Sequence, residues 1–124
     1  MKQISTNNAP AAIGPYSQAL RTGNMMFVSG QIPIDPATGL MAEDIKAQAT
    51  QSLTNVKNIL AAEGLTMKNV IKTTVFLSNL ADFAAVNEVY ATFFEAPYPA
   101  RSCVEVAAIP KGASVEIECI AVVD

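Results

Sequence analysis

The sequence predicts an α+β fold in which a mixed β-sheet carries two helices on one face. Two segments have apolar residues at helical spacing, at 43–63 and from Asn79 to about Phe94, and they alternate with segments typical of strands. The resulting order is β-β-α-β-α-β-β. The 124 residues contain no linker, repeat or low-complexity stretch, so a single domain over residues 1–124 is expected.

Residues 17 to 30 are predicted to form a β-hairpin. Strands at 17–21 and 25–29 flank the turn residues Thr22-Gly23-Asn24. A second turn is expected at 35–39, where Asp, Pro and Gly cluster.

The first helix is expected over residues 43–63 because its apolar residues form one stripe, which Gly64 ends. The stripe consists of Ile45, Ala49, Leu53, Val56 and Leu60. The second helix has Asn79 as its N-cap, with Asp82 three residues later, and prolines at 97 and 99 end it. Its stripe consists of Phe83, Val86, Val89, Tyr90 and Phe93. Both stripes are expected to cover the same face of the sheet.

Three further strands are predicted at Val70–Leu77, Ser102–Ala107 and Ser114–Val123. Alternation places Glu116 and Glu118 on the same side of the last strand as Ile120 and Val122. A face that is half charged and half apolar suits a subunit interface that contains a site. In the preceding strand, alternation groups Arg101, Cys103 and Glu105 on one side.

The composition indicates an oligomer. Hydrophobic residues make up 51% and charged residues only 15%, which is little charge for the surface of a small monomer, so part of the surface is expected to be buried between subunits. No apolar run approaches the roughly 20 residues of a membrane span. Polar residues follow Met1–Ile4, so no signal peptide is expected, and the predicted location is the cytoplasm.

The absence of certain residue types and motifs excludes several kinds of catalytic, metal and nucleotide-binding site. Without histidine, a Ser-His-Asp triad, a Cys-His pair and a His-ligated metal site are all impossible within the chain. Cys103 and Cys119 form no CxxC pair, and they are predicted to be reduced. No dinucleotide or P-loop glycine pattern is present, and scattered basic residues with a net charge of −3 disfavour nucleic acid. No metal or other cofactor is expected.

The segment Pro99–Val106 contains the most informative residue, Arg101. A fixed guanidinium is a fork for a carboxylate ligand, and a glutamate across from it on the next strand could orient a water. The alternative is a surface arginine that is salt-bridged to Glu105 or Glu116. The Glu-Ile-Glu pattern at 116–118 does not choose between its two glutamates, and it is also typical of a solvated strand face.

Four segments, at residues 8–18, 28–33, 72–77 and 99–106, resemble the RidA/YjgF family of enamine/imine deaminases. The similarity runs in order from about Asn8 to Val122. It implies a chorismate-mutase-like (YjgF-type) fold and a homotrimeric barrel with three sites in the clefts between subunits. Composition alone predicts only an oligomer.

The resemblance also assigns roles to residues. The family's arginine falls on Arg101 and binds the substrate carboxylate bidentately, and the first glutamate of the pair, Glu116, positions the attacking water. The implied substrate-binding residues are Tyr16, Ser29, Gly30, Asn87 and Cys103. A lone cysteine without a histidine is a poor nucleophile, so Cys103 is expected to contact the substrate rather than to attack it.

The implied reaction is hydrolysis of reactive 2-imino acids, such as 2-iminopropanoate and 2-iminobutanoate, to 2-keto acids and ammonia, which protects PLP enzymes. One alternative is a non-catalytic module that binds a small carboxylate such as a 2-keto acid. Another is a protein or RNA partner, although the acidic balance and the lack of histidine argue against RNA cleavage. The connection at 95–98 is shorter than in many relatives, which bears on substrate preference.

Overall fold

The computed structural model describes residues 1–124 as one six-stranded sheet and two α-helices. The strands are β1 (Lys2–Ile4), β2 (Ala19–Thr22), β3 (Met25–Gln31), β4 (Val70–Leu77), β5 (Ala100–Glu105) and β6 (Val115–Val122), and the helices are α1 (Ile45–Ala61) and α2 (Phe83–Phe93). The strand order is β1-β2-β3-β6-β4-β5, and only β4 and β5 are parallel. The predicted mixed sheet with two helices is confirmed. Neither helix is long and apolar enough to cross a membrane.

The predicted hairpin forms between β2 and β3, and Gly23 turns the chain with a φ of +58°, a conformation that favours glycine. The sheet also contains β1, which the predicted order lacked. This strand has only three residues, too few for an alternation to be recognised, and it pairs with β2. An ion pair of 2.8 Å between Lys2 and Glu63 ties it to the end of α1.

Helix α1 covers the sheet with the predicted stripe. Asp44 caps its start by accepting a hydrogen bond of 2.9 Å from the amide of Ala47. The stripe residues Ala49, Leu53, Val56 and Leu60 are all buried. They pack against the inner face of β6, which presents Val115, Ile117, Cys119 and Ala121.

Buried polar residues of α1 fix neighbouring segments. Gln48 donates to the carbonyl of Ala42 and accepts from the amide of Ser114, both at 2.8 Å, so it holds the chain just before β6. Asn55 donates to the carbonyls of Ile32 and Ile34 beyond the end of β3. These bonds satisfy side chains that are otherwise expensive to bury.

Helix α2 begins later than the sequence predicts. Asn79 is a cap, but its side chain caps a 3₁₀ turn at Leu80–Asp82, and the α-helix follows from Phe83. Val86 and Tyr90 are buried as expected. Phe83, which the stripe assigned to the core, is 38% exposed and lies at the edge of the sheet near β5.

No helix covers the second face of the sheet, which we call the open face. Leu20 and Phe27 lie side by side on it, and the register continues the row to Ile120. Leu20 and Phe27 are 36% and 45% exposed, and Val104 on β5 is 43% exposed. Glu116 and Glu118 share this face, as alternation predicted. A row of exposed apolar side chains is typical of a surface that another subunit covers.

Candidate functional site

Arg101 lies on β5 at the edge of the helix-covered face, where α2 passes beside it. Its Nη1 donates a hydrogen bond of 2.6 Å to Oδ1 of Asn87. The guanidinium carbon is 4.9 Å from the ring centre of Tyr90 and 5.4 Å from that of Phe83. An amide and two aromatic faces therefore hold one half-buried cation.

No carboxylate pairs with Arg101. The four ion pairs of the chain involve other residues. Glu105, which alternation groups with Arg101, instead accepts a hydrogen bond of 2.7 Å from the amide of Leu80. Glu116 lies on the open face. The alternative of a salt bridge from Arg101 to Glu105 or Glu116 therefore does not apply within the chain, and the free donors of the guanidinium remain available to an acidic ligand.

A cleft of about 390 Å³ opens beside Arg101. Its lining residues are Asn87, Tyr90, Ala91, Tyr98, Pro99 and Arg101. Tyr98 belongs to the connection at 95–98, so this connection borders the cleft. A larger groove of about 680 Å³ lies on the other side of Pro99 and contains none of the predicted site residues. We therefore take the smaller cleft, which contains Arg101 and Asn87, as the candidate site.

Cys103 follows Arg101 on the same side of β5 and is half-buried. Burial raises the pKa of its thiol, and the positive charge of Arg101 offsets only part of that rise. A thiol that remains protonated is a weak nucleophile, which agrees with a binding role. Cys119 lies in the core, where burial raises its pKa to about 12.

Glu116 belongs to a second group of residues, on the open face. A Cβ built on Gly30 would lie 2.7 Å from Oε2 of Glu116, so the carboxylate rests directly against the glycine. The neighbouring Ser29 donates from its hydroxyl to the carbonyl of Ser17 at 2.6 Å. Tyr16 stands at the end of the adjoining loop, where its hydroxyl accepts from the amide of Ile13 at 3.4 Å.

The environment of Glu116 favours its protonated form. Burial raises the pKa of its carboxyl group, and the negative charge of Glu118 raises the pKa further. No lysine or arginine forms an ion pair with Glu116 in the chain. A carboxyl group with a raised pKa can exchange protons closer to neutral pH than an ordinary glutamate.

The two groups lie on opposite faces of the sheet. Arg101 pairs in register with Thr73, which is buried against Tyr90 of α2. Glu116 pairs in register with Phe76, and Phe76 pairs with Val104 on the open face. The expectation that a glutamate faces Arg101 across the sheet is therefore wrong within one chain. Strand β4 separates β5 from β6, and the two side chains point to opposite sides.

The predicted site residues therefore form two groups within the chain, which we call half-sites. The first, the arginine half-site, contains Asn87, Arg101 and Cys103. The second, the glutamate half-site, contains Ser29, Gly30 and Glu116, with Tyr16 nearby. Sequence reasoning missed Phe83 and Tyr90 as parts of the first half-site, because it counted them in the core stripe of α2. Helical spacing does not distinguish an aromatic ring that packs in the core from one that packs against a cation.

Comparison with known proteins places the whole chain in one family. Residues 6–123 match the family model described as Endoribonuclease L-PSP. A Salmonella typhimurium protein named 2-iminobutanoate/2-iminopropanoate deaminase is 58% identical over 124 residues, which cover 98% of this chain and 97% of that protein. The Escherichia coli K12 protein of the same name is 56% identical, with the same coverage.

A solved structure agrees with these matches. The crystal structure of E. coli TdcF with bound serine superposes with a TM-score of 0.97 at 52% identity, and the match covers 100% of both chains. The chain belongs to the RidA/YjgF family, whose family model carries the description Endoribonuclease L-PSP.

Proposed function

We propose that this protein is a deaminase that hydrolyses 2-imino acids, including 2-iminobutanoate and 2-iminopropanoate, to 2-keto acids and ammonia. The observation that carries the proposal is the half-buried guanidinium of Arg101, which has no carboxylate partner and faces a small cleft. Relatives at 56–58% identity bear the name of this activity. A relative of known structure binds serine, which also has an α-carboxylate.

The proposed active unit is a cyclic homotrimer in which each site joins the arginine half-site of one copy to the glutamate half-site of the next. Two features support this assembly: the half-sites lie on opposite faces of one sheet, and the open face exposes apolar residues such as Phe27. A head-to-tail interface brings two different surfaces of the same chain together, and it closes into a ring. The number three comes from the family resemblance.

In the proposed mechanism, Arg101 binds the substrate carboxylate bidentately and so fixes the position of carbon C2. The carboxylate of Glu116 accepts a proton from a water that attacks C2. A C–O bond forms, and the π electrons of the C=N bond move to nitrogen. Glu116 returns this proton to nitrogen, which gives a carbinolamine. Glu116 then takes the hydroxyl proton of the carbinolamine and passes it to the amino nitrogen, and the C–N bond breaks as the C=O bond forms. Ammonia leaves, and Glu116 is again a carboxylate. One water is consumed for each ammonia released.

The remaining site residues bind rather than react. The backbone near Cys103 holds the substrate nitrogen, and Ser29, Gly30 and Tyr16 line the opposite wall. Asn87 contributes to substrate binding because it holds Arg101 through a hydrogen bond. Free imines already hydrolyse in water, so positioning of a water and a carboxylate provides a sufficient rate advantage.

The direct test generates 2-iminopropanoate in situ with a serine dehydratase and traps it with semicarbazide. The protein is expected to lower the yield of semicarbazone, and the Arg101→Ala variant is expected not to lower it. If the folded wild-type protein fails to suppress the semicarbazone but binds pyruvate through Arg101, the function is instead that of a small-carboxylate binding module.

Substitution of Gly30 by alanine should lower activity without much loss of stability. The added methyl group would overlap Oε2 and Cδ of Glu116, at 2.7 and 2.9 Å, so the flexible carboxylate must move. We expect kcat to fall about tenfold or more, because a displaced catalytic group loses its geometry. Thermal unfolding should change little, because only the end of a side chain has to give way.

The control for Gly30→Ala is a double-mutant cycle with Glu116→Gln. If Gly30 acts by leaving room for Glu116, the double variant should be no slower than Glu116→Gln alone. Additive losses would show that the glycine serves another purpose.

The pH dependence of the reaction should report on Glu116. Its carboxylate form accepts the proton, so kcat/KM should fall as the pH drops through a pKa that lies above the ordinary value of 4.5. Glu118→Gln removes the neighbouring negative charge and should therefore shift this acid limb to lower pH. Profiles of kcat/KM against pH for the wild type and the variant test this, and a shift to higher pH would contradict it.

A further inference from the structure

We infer that Tyr90 and Phe83 are positioning residues that hold the guanidinium of Arg101 in the orientation that binds the substrate carboxylate. The inference rests on the proposed function and extends it to two residues that contact Arg101 from α2. Their rings lie 4.9 and 5.4 Å from the guanidinium carbon. These distances fall within the range in which a ring face attracts a cation.

Tyr90 is itself held by two contacts besides the one with Arg101. It is 6% exposed, and its hydroxyl forms a hydrogen bond of 2.7 Å with the hydroxyl of Thr73. Thr73 is the register partner of Arg101 on the neighbouring strand. The ring of Phe94 packs 4.5 Å from the ring of Tyr90, centre to centre. The sheet thus fixes both the arginine and the tyrosine beneath it.

Different atoms of the Arg101 guanidinium make different contacts. Oδ1 of Asn87 accepts a hydrogen bond from Nη1, and the two rings are close to the guanidinium carbon. Donors not used by Asn87 remain for a carboxylate, which binds best to two parallel N–H groups. An arginine that is already held in place loses less side-chain freedom when the ligand arrives, and this raises affinity.

The hydroxyl of Tyr90 forms its hydrogen bond with Thr73. Burial raises its pKa above the ordinary value of a tyrosine, and its hydrogen bond to Thr73 and the nearby charge of Arg101 only partly oppose this rise. The group is neutral throughout the range in which the reaction would be measured. Its contribution is therefore the position of the ring.

The experiment compares Tyr90→Leu and Phe83→Leu with Phe94→Leu. Each of the three substitutions removes one aromatic ring. The rings of Tyr90 and Phe83 contact Arg101, whereas the ring of Phe94 packs against Tyr90. For Tyr90→Leu we expect KM for 2-iminopropanoate to rise about tenfold with kcat within about twofold, because weaker carboxylate binding affects substrate and transition state alike. For Phe83→Leu, whose ring is farther away and exposed, the expected rise is about threefold.

Tyr90→Phe keeps the ring and should restore KM to within about threefold of the wild type. Phe94→Leu keeps the ring of Tyr90 and its hydrogen bond to Thr73, so KM should stay within about twofold of the wild type. An equal rise of KM in Phe94→Leu and Tyr90→Leu would show that general packing is responsible and would overturn the inference. So would unchanged KM in both Tyr90→Leu and Phe83→Leu. If Tyr90→Leu fails to fold, Phe83→Leu decides, because its ring is exposed and dispensable to the core.

Titration calorimetry with pyruvate separates this inference from the proposed function. Pyruvate offers the same carboxylate without turnover, so its Kd should rise in Tyr90→Leu and Phe83→Leu by the same factors as KM. If the protein binds pyruvate with this pattern but hydrolyses no imine, the positioning role stands and the deaminase proposal fails. If pyruvate affinity is unchanged in both variants, the positioning role is wrong whatever the activity.

Discussion

Replacement of Arg101 by methionine is expected to lower kcat/KM about a thousandfold while the protein still folds and assembles. Arg101 is the only cation that lines the cleft, and no other residue of the lining can pair with a carboxylate in the same way. Loss of a charge-assisted, bidentate contact in a half-buried site costs about 4 kcal/mol, which corresponds to this factor. Methionine retains an unbranched apolar stem beside Tyr90 and Phe83. Steady-state kinetics and size-exclusion chromatography provide the two measurements.

Arg101→Lys is the matched variant, because it keeps the charge and loses the fork. A lysine binds the carboxylate as a point charge, so we expect an intermediate loss of about tenfold to a hundredfold. Normal turnover by a correctly assembled Arg101→Met variant would remove the arginine from the site altogether.

Glu116→Gln is expected to lower kcat about a hundredfold to a thousandfold with little change in KM. Glutamine has nearly the same shape as glutamate, and it can still hold a water, but its amide does not accept a proton. A correctly placed general base usually contributes a rate factor of this size. Because the binding of the carboxylate depends on Arg101, substrate affinity should persist.

Glu118→Gln is the control for this substitution. Glu118 shares the open face with Glu116 but is exposed, and no site residue contacts it through a hydrogen bond or ion pair. We expect its kcat at neutral pH to stay within about threefold of the wild type. An equal loss in both variants, or a larger loss in Glu118→Gln, would mean that the wrong glutamate of the pair has been assigned.

The sequence predicts best those helices and strands that are long enough to show their hydrophobic periodicity. The stripe of α1 extends over more than four turns, and each of its predicted members except the partly buried Ile45 is fully buried. Strand β1 was missed because three residues contain no period. The start of α2 was misplaced because the Asn79 cap is equally suited to a 3₁₀ turn.

The sequence names candidate site residues, but it does not predict how they are arranged. Alternation correctly groups residues within one strand, yet it does not reveal which face of the sheet a group occupies. That depends on β4 lying between β5 and β6, and on one of its two pairings being parallel. The sequence also does not reveal that Arg101 lacks a carboxylate partner. Glu105, which lies on the same side of the strand, instead accepts a hydrogen bond from a backbone amide in the turn before α2.

The central claim is that each site combines Arg101 of one copy with Glu116 of another, and mixed oligomers test it most directly. Arg101→Met and Glu116→Gln chains, each nearly inactive alone, would be coexpressed with different tags and purified as a 1:1 mixture. Random assembly gives about three quarters of trimers with both chains and one intact site in each, so about a quarter of wild-type activity is expected. Activity no greater than that of the separate variants would contradict the claim.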